Sequence, residues 1–251
     1  MNMNFQQSID GMYILKRDDF DVIATPVLHE NMPRVLDRQN TVNIEYLAEC
    51  YGLEIENHNI TEDRRILGLM AFHNIEVPMF DSNMQPIRKC IEEGTIVIEK
   101  SLLGGGNLAR RRFTLAHELA HWLLHRTYHS SSNQQFKLRR SYVACRTENI
   151  DKHIFRQDMT DNEREEWQAN SLASAILMPY VTVIWAIHEA FRASGIKWNS
   201  VYVDGRNAIS EYKKREILSY VAKTYAVSMQ SAEIRLEHLG YFKKTRITIF
   251  P

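Results

Sequence analysis

The run RRFTLAHELAHWLLH, residues 111–125, constrains the fold of this chain more than any other segment. Apolar residues recur at Phe113, Ala116, Ala120, Leu123 and Leu124, and Leu115, Leu119 and Trp122 fill another face. A helix apolar on most sides belongs in an interior. This one also carries His117, Glu118 and His121, which are costly to desolvate unless something compensates them. Residues four apart share a face of a helix, so His117 and His121 can aim two imidazoles at one metal ion. Glu118 sits beside them, where a carboxylate can take a proton from water. The competing reading is a pair of neutral core histidines bonded to carbonyls, which suits a lone histidine better than this spacing.

His117, Glu118 and His121 spell HExxH, the arrangement of zinc hydrolases. Two histidines do not complete such a site, because catalytic zinc commonly takes three protein ligands and keeps one position for water. The third ligand is expected from a separate element, and residues 160–179, TDNEREEWQANSLASAILMP, supply the best candidate. Thr160 followed by Glu163 reads as a capping box, and Pro179 ends the run. Ala169, Leu172, Ala173, Ile176 and Leu177 recur at helical spacing. Glu165 shares a face with Ala169, Leu172 and Ile176, whereas Glu166 shares one with Ala169, Asn170, Ala173 and Leu177. Periodicity turns a carboxylate inward without choosing between them. The alternative leaves both solvated at the helix N-terminus, stabilised by its dipole.

The pairing of RRFTLAHELAHWLLH with EWQANSLASAILMP resembles the ImmA/IrrE family of metallo-endopeptidases, whose RxxFTxAHExxH helix precedes a second helix of the form ExxANxxAxxLLMP. The likeness covers these two motifs closely and the preceding strands loosely. It implies a third ligand four residues before the motif asparagine, which is Glu166 ahead of Asn170. Asn170, one turn on, would orient the ligand. Ala120 stands where the family usually has glycine, a small-for-small change. The resemblance further implies a helix-turn-helix transcriptional repressor as substrate, its cleavage releasing mobile-element or stress genes.

The chain has 251 residues, 44% of them hydrophobic, enough for one large or two small domains with a real core. Thirty-one basic and 31 acidic residues cancel, so nothing in the charge points to direct nucleic-acid binding. Three scattered cysteines, Cys50, Cys90 and Cys145, suit a reducing cytosol rather than a disulfide framework. The first residues lack a basic-then-apolar signal region, and no apolar run approaches bilayer length. A cytoplasmic place without membrane association is therefore expected.

Residues 1–40 read as an N-terminal extension, loosely structured to about residue 35 around Pro26 and Pro33. Residues 41–180 read as the catalytic domain. In it a helix at IEYLAECYGL ends at Gly52, and strand-like runs follow near 53–60, 66–72 and 94–100. Gly104, Gly105 and Gly106 form a connector rather than a phosphate loop, since no GxxxxGK[ST] pattern is present. An edge strand beside the metal helix would pair with an extended substrate peptide, but which strand forms the edge is not readable. The long polar stretch before Glu166, with Lys137, Arg139, Arg140 and Arg146, reads equally as a binding surface or a solvated excursion with a short strand at SYVAC. His125 and His129 are expected at the surface or just behind the ligands.

Residues 181–251 read as helices packed on the core. The segment AKTYAVSMQSAEIRLEHLG, turning at Val227 and Ser228, has a helix-turn-helix look, with Arg235 between Glu233 and Glu237 on its second helix.

These readings predict an α+β, zincin-like metalloprotease domain: a small antiparallel or mixed sheet, metal-binding helices, and a helical C-terminal region. They make it a zinc-dependent endopeptidase with Zn²⁺ (Mn²⁺ or Fe²⁺ fit the same donors) on His117, His121 and Glu166, and no small-molecule cofactor. Glu118 is the general base. Tyr142, Tyr180 and His188 are unranked candidates for stabilising the oxyanion. The alternative is a zinc-stabilised regulatory module that binds repressor or DNA without cutting.

Overall fold

Among the described residues, seven α-helices and three small sheets form an α+β arrangement in which the motif helix lies against a sheet on one side and a second helix on the other. The computed structural model describes residues 5–9, 11–130, 142–146 and 159–244, the backbone alone for 142–146. Lys137, Arg139 and Arg140 lie outside the described residues.

Helix α2 (Ile44–Cys50) starts where Asn43 accepts the Tyr46 amide and leads through Gly52, at φ +71, into strand β1 (Glu54–His58). Strands β2 (Ile66–Ala71) and β5 (Thr95–Glu99) form the centre of a mixed sheet with order β1-β5-β2-β6, where β6 is Tyr142–Arg146. β1 runs parallel to β5; β2 is antiparallel to both β5 and β6. The edges are therefore β1 and β6. β5 is buried throughout, Ile96 and Ile98 joining the main core and Val97 a smaller one. Burial on both faces is why its sequence runs apolar without alternation. The smaller core is closed by a hairpin of β3 (Ile75–Phe80) and β4 (Pro86–Ile91), through Val77, Met79 and Ile91. The hairpin is absent from the sequence reading. Pro78 and Pro86 argue against strands, and much of β4 is exposed, which such edge positions tolerate.

Helix α3 (Leu108–Ser130) carries HExxH and packs chiefly against α4 (Asp161–Leu177). At the start of α4, Thr160 Oγ1 accepts the Glu163 amide while Glu163 accepts the Thr160 amide at 3.0 Å, a complete capping box.

The expectation of a loosely structured N-terminus is wrong. Residues Asp19–Asn31 form a helix, α1, that buries Phe20, Ile23, Ala24, Val27 and Leu28. That spacing is a helical stripe in the sequence itself. Pro26 masks it, because an interior proline removes one ladder bond and normally breaks a helix. Here packing outweighs the loss: α1 lies on α4, with the Phe20 and Trp167 rings edge to face at 5.1 Å.

Helices α5 (Tyr180–Ala193), α6 (Glu211–Tyr225) and α7 (Met229–His238) follow, with a short parallel pair of β7 (Val201–Tyr202) and β8 (Phe242–Lys243). The helix-turn-helix look is real in outline: Ala226 closes α6 in the left-handed conformation and Ser228 caps α7. Arg235, however, points inward. It pairs with Asp21 of α1 and donates from Nη2 to the Met178 carbonyl at 3.0 Å. Arg112 of α3 donates to the Ala226 carbonyl at 3.1 Å, so both ends of the pair are fastened to the core. Among the described residues no single helix is long and apolar enough to cross a membrane.

Arg235→Ala would strand Asp21 and the Met178 carbonyl with one partner fewer at a nearly dry junction. An expected loss of about 3 kcal/mol should appear as a lower midpoint in urea unfolding. An unchanged midpoint would show that the junction contributes nothing.

Candidate metal centre

Three side chains from two helices meet at one point. The Nε2 atoms of His117 and His121, one turn apart on α3, lie 2.9 Å from each other. Glu166 of α4 brings Oε2 to 3.5 Å from His117 Nε2 and Oε1 to 3.6 Å from His121 Nε2. Four ligands around zinc with bonds near 2.1 Å stand roughly 3.3–3.4 Å apart; the two distances to Glu166 are close to this and the 2.9 Å between the imidazoles is shorter. Both histidines are fully buried, whereas the Glu166 side chain remains 16% exposed, so the triangle opens to solvent on its carboxylate side. The donor set, two imidazole nitrogens and a carboxylate, suits zinc.

Each group reaches this point through its own element. The 3.6-residue repeat stacks His117 over His121. The capping box sets where α4 begins, and packing against α3 sets its rotation. Asn170, one turn beyond Glu166, places Oδ1 2.8 Å from His117 Nδ1. It therefore orients an imidazole, where the sequence reading gave it the carboxylate to orient. With Nδ1–H donated to the amide, His117 presents a bare Nε2 to the triangle.

Glu118 is fully buried beside the histidines. Its position depends on Gly68 of β2, a residue the sequence reading passed over. A β-carbon on Gly68 would stand 2.5 Å from Glu118 Oε1 and 2.6 Å from the Thr114 methyl carbon. Only glycine lets the strand and α3 come this close. The available signal was a lone glycine inside the strand run ILGLMAF, which marks a close backbone approach or a bulge. The ladder to β6 also shifts register between Ile66 and Gly68.

Both carboxylates left open by periodicity turn inward. Glu165, buried, has Oε1 2.5 Å from His129 Nε2. His125 Nδ1 lies 3.1 Å from His121 Nδ1, and its Nε2 lies 2.9 Å from Gln168 Oε1. Of the two positions open to His125 and His129, the structure takes the one behind the ligands rather than the surface: both are buried, at 0% and 8% exposure. They continue the i,i+4 stripe of His117 and His121, and α4 covers the whole stripe. His121, His125 and Glu165 form a second His/Glu group next to the first. Burial pushes the His121 imidazole well below the usual histidine range, and His117, His125 and His129 push it the same way. Burial also lowers His125, against the opposing pull of Glu165. Both rings are accordingly neutral near pH 7.

Of the oxyanion candidates, Tyr180 is half exposed at the start of α5, and His188 Nε2 lies 3.4 Å from the Tyr241 hydroxyl.

A family model described as Peptidase_M78, the IrrE N-terminal-like domain, matches residues 105–237. A search of curated proteins found no match.

Proposed function

The chain belongs to the ImmA/IrrE family of metallopeptidases, and from that premise we propose that it is a zinc-dependent endopeptidase whose substrate is a helix-turn-helix transcriptional repressor. The observation that carries the hydrolytic reading is the open triangle of His117 Nε2, His121 Nε2 and Glu166 with Glu118 buried alongside.

His117, His121 and Glu166 would hold the ion. When bound, Zn²⁺ supplies a Lewis acid that acidifies water and polarises a carbonyl; Mn²⁺ and Fe²⁺ fit the same donors. The chain's own residues do the rest. Glu118 takes the proton from the attacking water and passes it to the leaving amine. Dry walls around Glu118 keep its charge from being spread into solvent. Asn170 holds the His117 ring in its ligating tautomer.

The repressor assignment rests on the family resemblance. A folded repressor must open locally before its chain can enter a cleft as an extended segment. The alternative, a zinc-stabilised regulatory module that binds repressor or DNA without cutting, gains no DNA-reading arginine from α7, whose one arginine faces the core. The test is co-expression with a helix-turn-helix repressor encoded beside this chain. Intact repressor should disappear with the wild type and persist when zinc is chelated in the purified mixture. Stable binding of repressor without cleavage, in zinc-loaded protein, would overturn the enzyme reading.

A further inference from the structure

The histidine stripe of α3 permits a count of protons. Gln168 donates from Nε2 to the Tyr13 carbonyl at 2.6 Å. A carbonyl only accepts, so the other end of that amide, Oε1, must face His125 Nε2, 2.9 Å away. His125 therefore donates from Nε2, and its Nδ1 carries a bare lone pair aimed at His121. At the far end of the stripe, His117 donates from Nδ1 to Asn170 Oδ1, so His117 Nε2 carries the lone pair and is also aimed at His121. An imidazole that ligates a metal through one nitrogen keeps one N–H on the other, and the N–H groups of His117 and His125 are already directed outward, to Asn170 and Gln168. One proton is left for two nitrogen–nitrogen contacts, 2.9 Å at His117–His121 and 3.1 Å at His121–His125. Two bare lone pairs at such distances repel, so the contact without the proton is the one made for a cation.

The surroundings decide which contact that is. Glu166, partly exposed, flanks the His117–His121 contact. The carboxylate flanking the other contact, Glu165, is buried and has His129 against its Oε1 at 2.5 Å. The cation belongs on the open side. The remaining proton belongs on His121 Nδ1.

We propose that His125, held by Gln168 and through it by the Tyr13 carbonyl, is a positioning residue that fixes the proton of His121 on Nδ1 and so presents Nε2 to the metal. This deepens the metallopeptidase reading and rests on it. It also gives the N-terminal segment, which lies outside residues 105–237, a part in building the metal site.

Two measurements test this. The first needs no substitution: long-range ¹H–¹⁵N correlation of the metal-free wild type should show His121 protonated on Nδ1 and His125 on Nε2. A His121 proton on Nε2 overturns the proposal. The second titrates Co²⁺ into wild type, His125→Phe, His125→Gln and His117→Ala. His125→Phe should weaken Co²⁺ binding about 10- to 100-fold, and His125→Gln, which restores an acceptor, should recover most of it. Wild-type affinity in His125→Phe, or equal loss in both His125 variants, refutes it. Uptake of two ions by wild type with one lost in His125→Phe refutes it too, because His125 would then be a ligand. His117→Ala separates the premises. If it binds Co²⁺ like wild type, the metal-site reading itself fails; if it loses the ion while His125→Phe keeps it, only the present proposal fails.

Discussion

Glu118→Gln should bind the metal with wild-type stoichiometry and lose cleavage by about 10²- to 10⁴-fold, the range general-base catalysis supplies. Glutamine keeps the volume and the packing against Gly68 but cannot accept the proton. Its stability should stay close to wild type or rise slightly, since the substitution removes a fully buried carboxylate. The pairing of measurements matters more than either alone. Metal content by elemental analysis and cleavage of the co-purified repressor must separate: the ion kept, the rate lost. Cleavage at the wild-type rate would remove Glu118 from the mechanism. Loss of the ion together with the rate would make Glu118 a structural part of the site instead.

Gly68→Ala should damage the same function from the opposite side of the interface. The added methyl would stand 2.5 Å from Glu118 Oε1 and 2.6 Å from Thr114 Cγ2, so the carboxylate, the strand or the helix must move. Inserting a methyl where none fits commonly costs about 1–3 kcal/mol. A displacement of about 1 Å in a reacting group can cost about 10²-fold in rate. The expected variant is folded and holds its ion on His117, His121 and Glu166, with thermal stability lowered by a few degrees and cleavage down about a hundredfold. Full activity in Gly68→Ala would show that Glu118 does not depend on this close approach.

Much of the candidate site is legible because its geometry is local. His117 and His121 must share a face once residues 111–125 form a helix, and the run's apolar surround makes that helix a buried one. The Thr160–Glu163 box and Pro179 bracket α4 by chain-local chemistry alone, and the structure has α4 between those two signals. Elsewhere local signals misled. Pro26 outweighed a good apolar stripe in α1, and prolines hid the β3–β4 hairpin. In both places the burial that decides the outcome comes from residues distant in sequence.

Neighbouring residues on a helix point about 100° apart, and α4 is enclosed widely enough for both directions to face protein. Glu165 and Glu166 therefore both turn inward, one to His129 and one to the His117–His121 pair. From the amino-acid order alone came a buried helix with two imidazoles one turn apart, a neighbouring carboxylate and a capped partner helix, since each depends on contacts within a few residues. How α4 is rotated against α3, how near β2 comes at Gly68, and which way His125 and Arg235 face were decided by tertiary packing. Those depend on surfaces brought together from Tyr13, Asp21, Gly68 and Gln168, which no periodicity within one segment can register.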